Sequence, residues 1–506
     1  MTESLRQPPH VSGSARPAAH PPVIDATRPA LWELASLGVL VSALLFFQQF
    51  ESDAVYEVFN WIAPLWLAAT LLAGAVRMVL LERLAIWASL LWFRLATAVY
   101  FGFGSLVPYL VNPRSRIELD AFYSARPDEI YKLDTIVAVA TLIVLLVAAF
   151  LDSLRPRKRT ESRGPEDDST RLRYAALFGG VGYAVKFLVE MPLSFGAYGG
   201  ATVPGILLQF SQVSVIGLHL LSLHAFKVNA YYAPFAIALL LVDMSLGALE
   251  FSKYNMLLPL IMFSLGWFRA RPSLARIVVC SVIVVSVYSL AQPFITFGRD
   301  QLALKFGTIG AGSFSERLEI VQQYGDAPLE EAFTERAELG LMRLSYVNAG
   351  CFAISRFDGG NPGPSMNYAL ATLIPRFLWP EKPIITDIGG LFNLMATGNA
   401  ASASSAGYFP DAYWTAGWTG VLGFSVLIGA LFTVYSRYAI HVLESGRTLH
   451  FPLVLLAMTM GLRVDGMIVT DIVGASVIWF WGFVAINLAE RGLRHFRPKS
   501  GARARA

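Results

Sequence analysis

Read as apolar and polar positions, the chain is a series of apolar runs about 20 residues long, separated by mostly short polar connections. Roughly twelve of these runs are long enough to cross about 30 Å of hydrocarbon. They lie near residues 31–50, 57–76, 86–110, 134–152, 173–192, 203–225, 231–250, 254–270, 274–292, 414–435, 449–466 and 470–489. The pattern predicts an all-α polytopic integral membrane protein of about twelve transmembrane helices.

The charges between the runs supply an orientation. With the N-terminus in the cytoplasm, alternate connections should be rich in Lys and Arg. These connections hold Arg77 and Arg83, "RPRKRTESR" (155–163), Lys227, the group Arg269, Arg271 and Arg276, then Arg437 and Arg447, and finally the tail "RGLRHFRPKSGARARA". On the other side, "ESDAVYE" (51–57) is acidic, 111–133 is mixed and 193–202 carries no charge. Both termini are therefore expected in the cytoplasm. Residues 1–30, rich in Pro, Ala and Ser, read as a disordered tail. Residues 31–292 read as an N-terminal bundle of about nine helices, 414–489 as C-terminal helices and 490–506 as a basic tail beside anionic lipid.

Residues 293–413 break the pattern. A connection of this length is uncommon unless it is functional. It reads as a large periplasmic loop holding short helices, such as "SERLEIVQQYG", and a Gly/Pro breaker, "DGGNPGPS".

Composition narrows the chemistry. The chain is 55% hydrophobic and 15% charged, with a mean hydropathy of +0.53. This surface is too apolar for a soluble protein of 506 residues. Two cysteines, Cys280 and Cys351, are too few for a disulfide framework. The seven His are scattered, so no metal site is expected, and no cofactor is implied. A nucleic-acid partner is not expected.

Ionisable groups inside a membrane are costly and point to function. Lys186, Glu190, Asp243, Glu250, Lys253, Arg299, Asp300, Arg463, Asp465 and Asp471 all fall in the outer half of the bundle, beneath the long loop. Each also has a plain reading. Lys186 and Glu190 have the spacing of a helix ion pair. Glu250 and Lys253 can cap helix ends, and Arg463 can reach the interface along its own stem. Asp243 lies deeper and needs a partner or a proton. Arg94 and His219 are expected to be structural.

Two stretches of the loop stand out. "IPRFLWPEKP" (374–383) sets Arg376, Trp379 and Lys382 on a backbone stiffened by proline. Guanidinium and ammonium groups suit phosphate oxygens, and Trp379 suits a headgroup zone or a sugar face. An interfacial anchor is the alternative. "GYFPDAYWTAGWTG" (407–420) surrounds Asp411 with Tyr408, Tyr413, Trp414 and Trp418, as carbohydrate handling or an aromatic belt would.

"IPRFLWPEKP", followed by this Gly/Tyr/Asp-rich segment running into a span, resembles the bacterial O-antigen (Wzy-like) repeat-unit polymerases. "LEFSKYNMLLPLIMF" (249–263) and "LRVDG" (462–466) extend the likeness, with Lys253 where the family pattern has Arg and Val464 where it has Gly. The resemblance covers roughly 240–490. It implies a metal-independent glycosyltransferase that moves a polyprenyl-diphosphate-linked oligosaccharide onto another lipid-linked repeat. It also implies membrane lipid as a partner, and a chain-length regulator protein as a further candidate partner. In that reading Arg376 and Arg463 stabilise the diphosphate leaving group, with Arg343, Lys382, Arg299 and Lys253 nearby. Asp411 leads as general base, ahead of Asp243 and Glu250. Trp379, Tyr408 and Tyr413 would contact substrate. Two other readings stay open: another polyprenyl-dependent glycosyltransferase, with an acid at Asp53, or an O-antigen ligase; and a lipid-linked oligosaccharide flippase.

Overall fold

The computed structural model describes residues 27–154, 168–196, 210–307, 312–326, 338, 340–374, 379, 381–383, 387–398 and 403–495. These residues form helices and connections, with no strand among them. Nine of the described helices are long and apolar enough to cross a membrane. In chain order they are α1 (Leu31–Phe50), α2 (Asp53–Leu81), α3 (Ser89–Leu110), α4 (Pro127–Leu154), α5 (Asp168–Ser194), α6 (Ala230–Leu249), α7 (Ala275–Phe306), α8 (Tyr408–Glu444) and α9 (Val469–Gly492). Three more apolar stretches expected as spans are also helical over Val213–Lys227, Lys253–Ala270 and Phe451–Leu462. At about 1.5 Å per residue the first and last are shorter than the hydrocarbon core.

Much of this apolar surface faces outward. The most apolar stretch of α7 has a hydropathy of 2.0, yet only 11% of it is buried by the rest of the chain. Side chains such as Val282, Val285 and Leu290 are left open. Apolar surface exposed on this scale calls for a lipid solvent, and the chain is a multi-pass membrane protein.

The main core joins α1–α4 to α8, the 451–462 helix and α9. A second core packs α5, the 213–227 helix and the 253–270 helix against the far end of α8. Arg94 lies wholly inside the first core. Its Nε meets Glu33 Oε1 at 2.6 Å, and both side chains are fully buried. Gly74 makes room for this pair, because a Cβ there would lie 2.5 Å from Glu33 Oε1. His219 is buried against Met262 O, Trp87 and Phe451. Both residues are structural, as their surroundings in the sequence suggest.

The long connection is shorter than expected. Helix α7 continues through Pro293 to Phe306, and α8 begins at Tyr408, so residues 293–306 and 408–413 belong to helices. The end of the bundle where α7 stops and α8 starts is here named the loop end. Arg317 fixes the connection there. Its guanidinium donates to Leu249 O at 3.3 Å and Ser194 O at 3.5 Å, next to the last turns of α6 and α5. Farther along, the helices Val347–Asp358 and Asp387–Thr397 lie over the mouth of α8, where Phe352 and Phe392 pack against Trp414 and Met467.

Candidate functional site

The site forms around residues 463–468, the turn between the 451–462 helix and α9. This turn is laced to the start of α8. Tyr408 N–H donates to Val464 O at 2.9 Å, and Ile468 N–H donates to Asp411 Oδ2 at 2.9 Å. Ser405 Oγ donates to Asp465 O, and Tyr408 OH to Met460 O at 3.1 Å. Two stretches singled out in the sequence, "GYFPD" and "LRVDG", are thus one structural unit.

On this base Arg463 is held in the open. Its Nη1 lies 2.7 Å from Asp471 Oδ1, and 56% of its side chain remains exposed. Its guanidinium carbon lies 5.7 Å from the ring centre of Tyr254. Asp471 also accepts from Met467 N at 3.2 Å and Thr470 Oγ1 at 2.8 Å. Gly466 is required for this arrangement, since a Cβ there would collide with the Asp471 carboxylate. Asp465 accepts from Tyr346 OH at 3.0 Å. Burial raises the Asp465 carboxyl above the usual carboxylate range, while the Tyr346 hydrogen bond and the Arg463 charge pull it back.

Three more cations lie on neighbouring elements. Lys253 opens the 253–270 helix, within electrostatic range of Arg343, Arg299 and Asp465. Arg343 is exposed. Arg299 donates from Nε to Phe251 O at 2.8 Å. That bond pins a turn in which Phe251, a buried aromatic residue, sits at φ +49°. Arg343, Arg299, Lys253 and Arg463 come from four separate elements. Among the described carboxylates, Asp465 lies in electrostatic range of Lys253 and Asp300 of Arg299, while Asp471 pairs with Arg463.

The local helix geometry is unusual around the site. The π-helical turns Ala98–Phe103 and Lys186–Glu190 interrupt α3 and α5, and a third, Val469–Gly474, opens α9. Such turns are rare and concentrate at functional sites. Asp471, from the third turn, pairs with Arg463, and Tyr100 and Glu190, from the other two, lie in electrostatic range of Asp465 and of Tyr254 respectively.

The other sequence candidates fall into distinct places. Arg376 lies outside the described residues. Trp379 is 40% exposed, and Lys382 donates to Ile374 O at 3.0 Å. Asp411 is fully buried, with Ser365 Oγ on one oxygen at 2.9 Å and Ile468 N on the other. It is out of reach of a substrate hydroxyl, and its geometry is that of a brace. Tyr408 is also fully buried. Tyr413 donates to Asp358 Oδ1 at 2.9 Å beneath the ammonium of Lys132 and belongs to that separate surface cluster. Asp243 is fully buried and bound to Lys186 Nζ at 2.6 Å and Tyr183 OH at 2.7 Å. Lys186 therefore pairs across helices, where the sequence spacing suggested Glu190. Glu250 accepts from Asn255 Nδ2 at 2.5 Å. Asp53 is exposed at the first turn of α2. No group of His, Cys, Asp and Glu among the described residues could hold a metal ion.

Sequence reasoning placed Arg463, Asp465 and Asp471 near the membrane edge but assigned roles only to the first. Their partners Tyr346 and Thr470, and Tyr254 beside Arg463, carried no signal of their own. Compared with family models, curated proteins and solved structures, the chain matches none.

Proposed function

We propose that the protein is a membrane glycosyltransferase of the repeat-unit polymerase kind, working at the periplasmic face of a bacterial inner membrane. Its substrate is a polyprenyl-diphosphate-linked oligosaccharide, and its acceptor is a second lipid-linked repeat. In this reading the loop end faces the periplasm, the chain crosses the membrane about twelve times and both termini are cytoplasmic.

One observation carries the reading: four cations from separate elements gather at the loop end, with Lys253 in electrostatic range of Arg343, Arg299 and Asp465, and Arg463 beside Asp465 and Asp471. A diphosphate leaving group gains negative charge as its bond to the sugar breaks, and preorganised cations lower that barrier. Arg463 offers a forked guanidinium already oriented by Asp471. Arg343, Arg299 and Lys253 add charge.

The step is a displacement at the anomeric carbon of the donor. The acceptor hydroxyl forms the new C–O bond, and the diphosphate leaves with the electron pair of the old one. Asp465 takes the hydroxyl proton, and Tyr346 holds its carboxylate in place. Arg376 and Trp379 belong to the same reading, as contacts at the lip of the membrane.

A strain lacking the gene tests this. Surface polysaccharide should collapse to single repeats, with lipid-linked repeat accumulating on the outer leaflet. Accumulation on the inner leaflet would support a flippase instead. An Asp53→Asn variant that abolished synthesis, beside an active Arg463→Ala variant, would favour a transferase with its acid at Asp53.

A further inference from the structure

An apolar groove lies between α5, the 213–227 helix and α6, with a volume of about 450 Å3. Its walls include Ala175, Gly179, Gly180, Tyr183, Gly217 and Phe235. Gly217 holds the two helix backbones together, since a Cβ there would lie 2.5 Å from Gly179 N. Gly179 and Gly180, in contrast, face open space, with nothing within 4 Å of a Cβ at either position. The volume falls within the usual range for a ligand pocket.

Polar chemistry adjoins the groove at its Tyr183 end. Tyr183 lines its upper end and donates to Asp243, the carboxylate that also binds Lys186. One turn further on, Lys186 and Glu190 line a small polar cavity with Asn255. Asn255 adjoins Tyr254 and Lys253, which belong to the cationic cluster.

We propose that this groove holds the polyprenyl tail of the substrate whose diphosphate sits at the cationic cluster; the inference rests on the function proposed above. Helix length selects the occupant. The groove follows α5 from Leu172 to Tyr183, and Glu190 lies seven positions beyond. At about 1.5 Å per residue, the path from head to groove floor is roughly 27 Å. That is nearly the whole hydrocarbon thickness, about 30 Å. An acyl chain anchored in one leaflet reaches only about half that depth. A long polyprenyl chain crosses the midplane and reaches the floor. Because lipid already solvates apolar surface, the gain comes from packing in a fitted groove and is modest.

The test is binding of farnesyl diphosphate and of a long polyprenyl diphosphate to the full chain in phosphatidylcholine nanodiscs. Wild type should bind the long ligand about tenfold more tightly than the short one. Gly180→Trp, which fills open space, should abolish that preference and leave farnesyl diphosphate affinity unchanged. Gly180→Ala should keep the preference, and Arg463→Ala should weaken both ligands alike. The thermal midpoint of Gly180→Trp checks that it folds; if it does not, Gly179→Leu takes its place. Equal binding of both ligands by wild type overturns the tail groove but not the diphosphate site. So does a preference that survives in a folded groove-filling variant, or a spin-labelled phospholipid that the long ligand fails to displace from the groove. Failure to bind either diphosphate overturns the proposed function itself.

Discussion

Asp411 accepts the main-chain N–H of Ile468 at 2.9 Å and so ties the first turn of α8 to the turn that carries Arg463 and Asp465. A fully buried carboxylate bonded in this way is placed to stabilise the turn, away from any substrate hydroxyl. Replacing it tests the assignment. Asp411→Ala leaves Ile468 N–H and Ser365 OH without this acceptor, at a cost of about 1–3 kcal/mol for each buried group. Asp411→Asn keeps an acceptor for Ile468. Thermal unfolding in detergent should show a larger loss for Ala than for Asn, and Asn should retain measurable polymerisation. Equal, complete inactivation by both at unchanged stability would make Asp411 the base.

The pH profile reports on Asp465. Burial raises its pKa, so it takes up a proton at a higher pH than a free carboxylate. A base must be ionised to work, so activity falls as pH drops through that raised value. The Tyr346 hydrogen bond favours the ionised form. Tyr346→Phe should therefore move the acid limb of the rate profile to still higher pH. A limb that stays in place or moves down would remove Asp465 from the proton-transfer role.

Lys186 and Asp243 form a buried ion pair at 2.6 Å. Removing one partner strands a charge, at a cost of about 3–5 kcal/mol. Lys186→Met and Asp243→Leu should each lower the thermal midpoint strongly, and the double variant should recover most of the loss. A double variant that loses as much as the two single variants combined would mean that the groups do not act as a pair.

Gly466→Ala should displace the Asp471 carboxylate and free Arg463 from it. Polymerisation is expected to fall by about tenfold or more, the scale of one charge-assisted contact. Circular dichroism should be unchanged, since the substitution lies in a turn.

Much of the helical framework was legible, because lipid imposes long apolar runs that hydropathy detects directly. The end of α7 was not. Pro293 and the charges at Arg299 and Asp300 look like the start of a loop, yet the helix passes through them because Arg299 finds Phe251 O and the Phe251 ring packs at Gly298. The site was half legible. Spacing along one helix suggested Lys186 with Glu190, but Lys186 lies in a π turn and reaches across to Asp243 on α6. Asp411 sat among aromatics that suggested a sugar site. Only tertiary packing, with Ser365 and Ile468 46 and 57 positions away, reveals it as a brace.

Whether the loop-end cations grip a lipid diphosphate during glycosyl transfer is decided by supplying purified protein in bilayers with a polyprenyl-diphosphate-linked repeat and measuring product length together with released polyprenyl diphosphate. Wild type should lengthen the glycan and release one lipid diphosphate per repeat added, and the double variant Arg463→Ala, Arg343→Ala should do neither while remaining folded. Chain growth in the double variant at the wild-type rate would contradict this role of the cations.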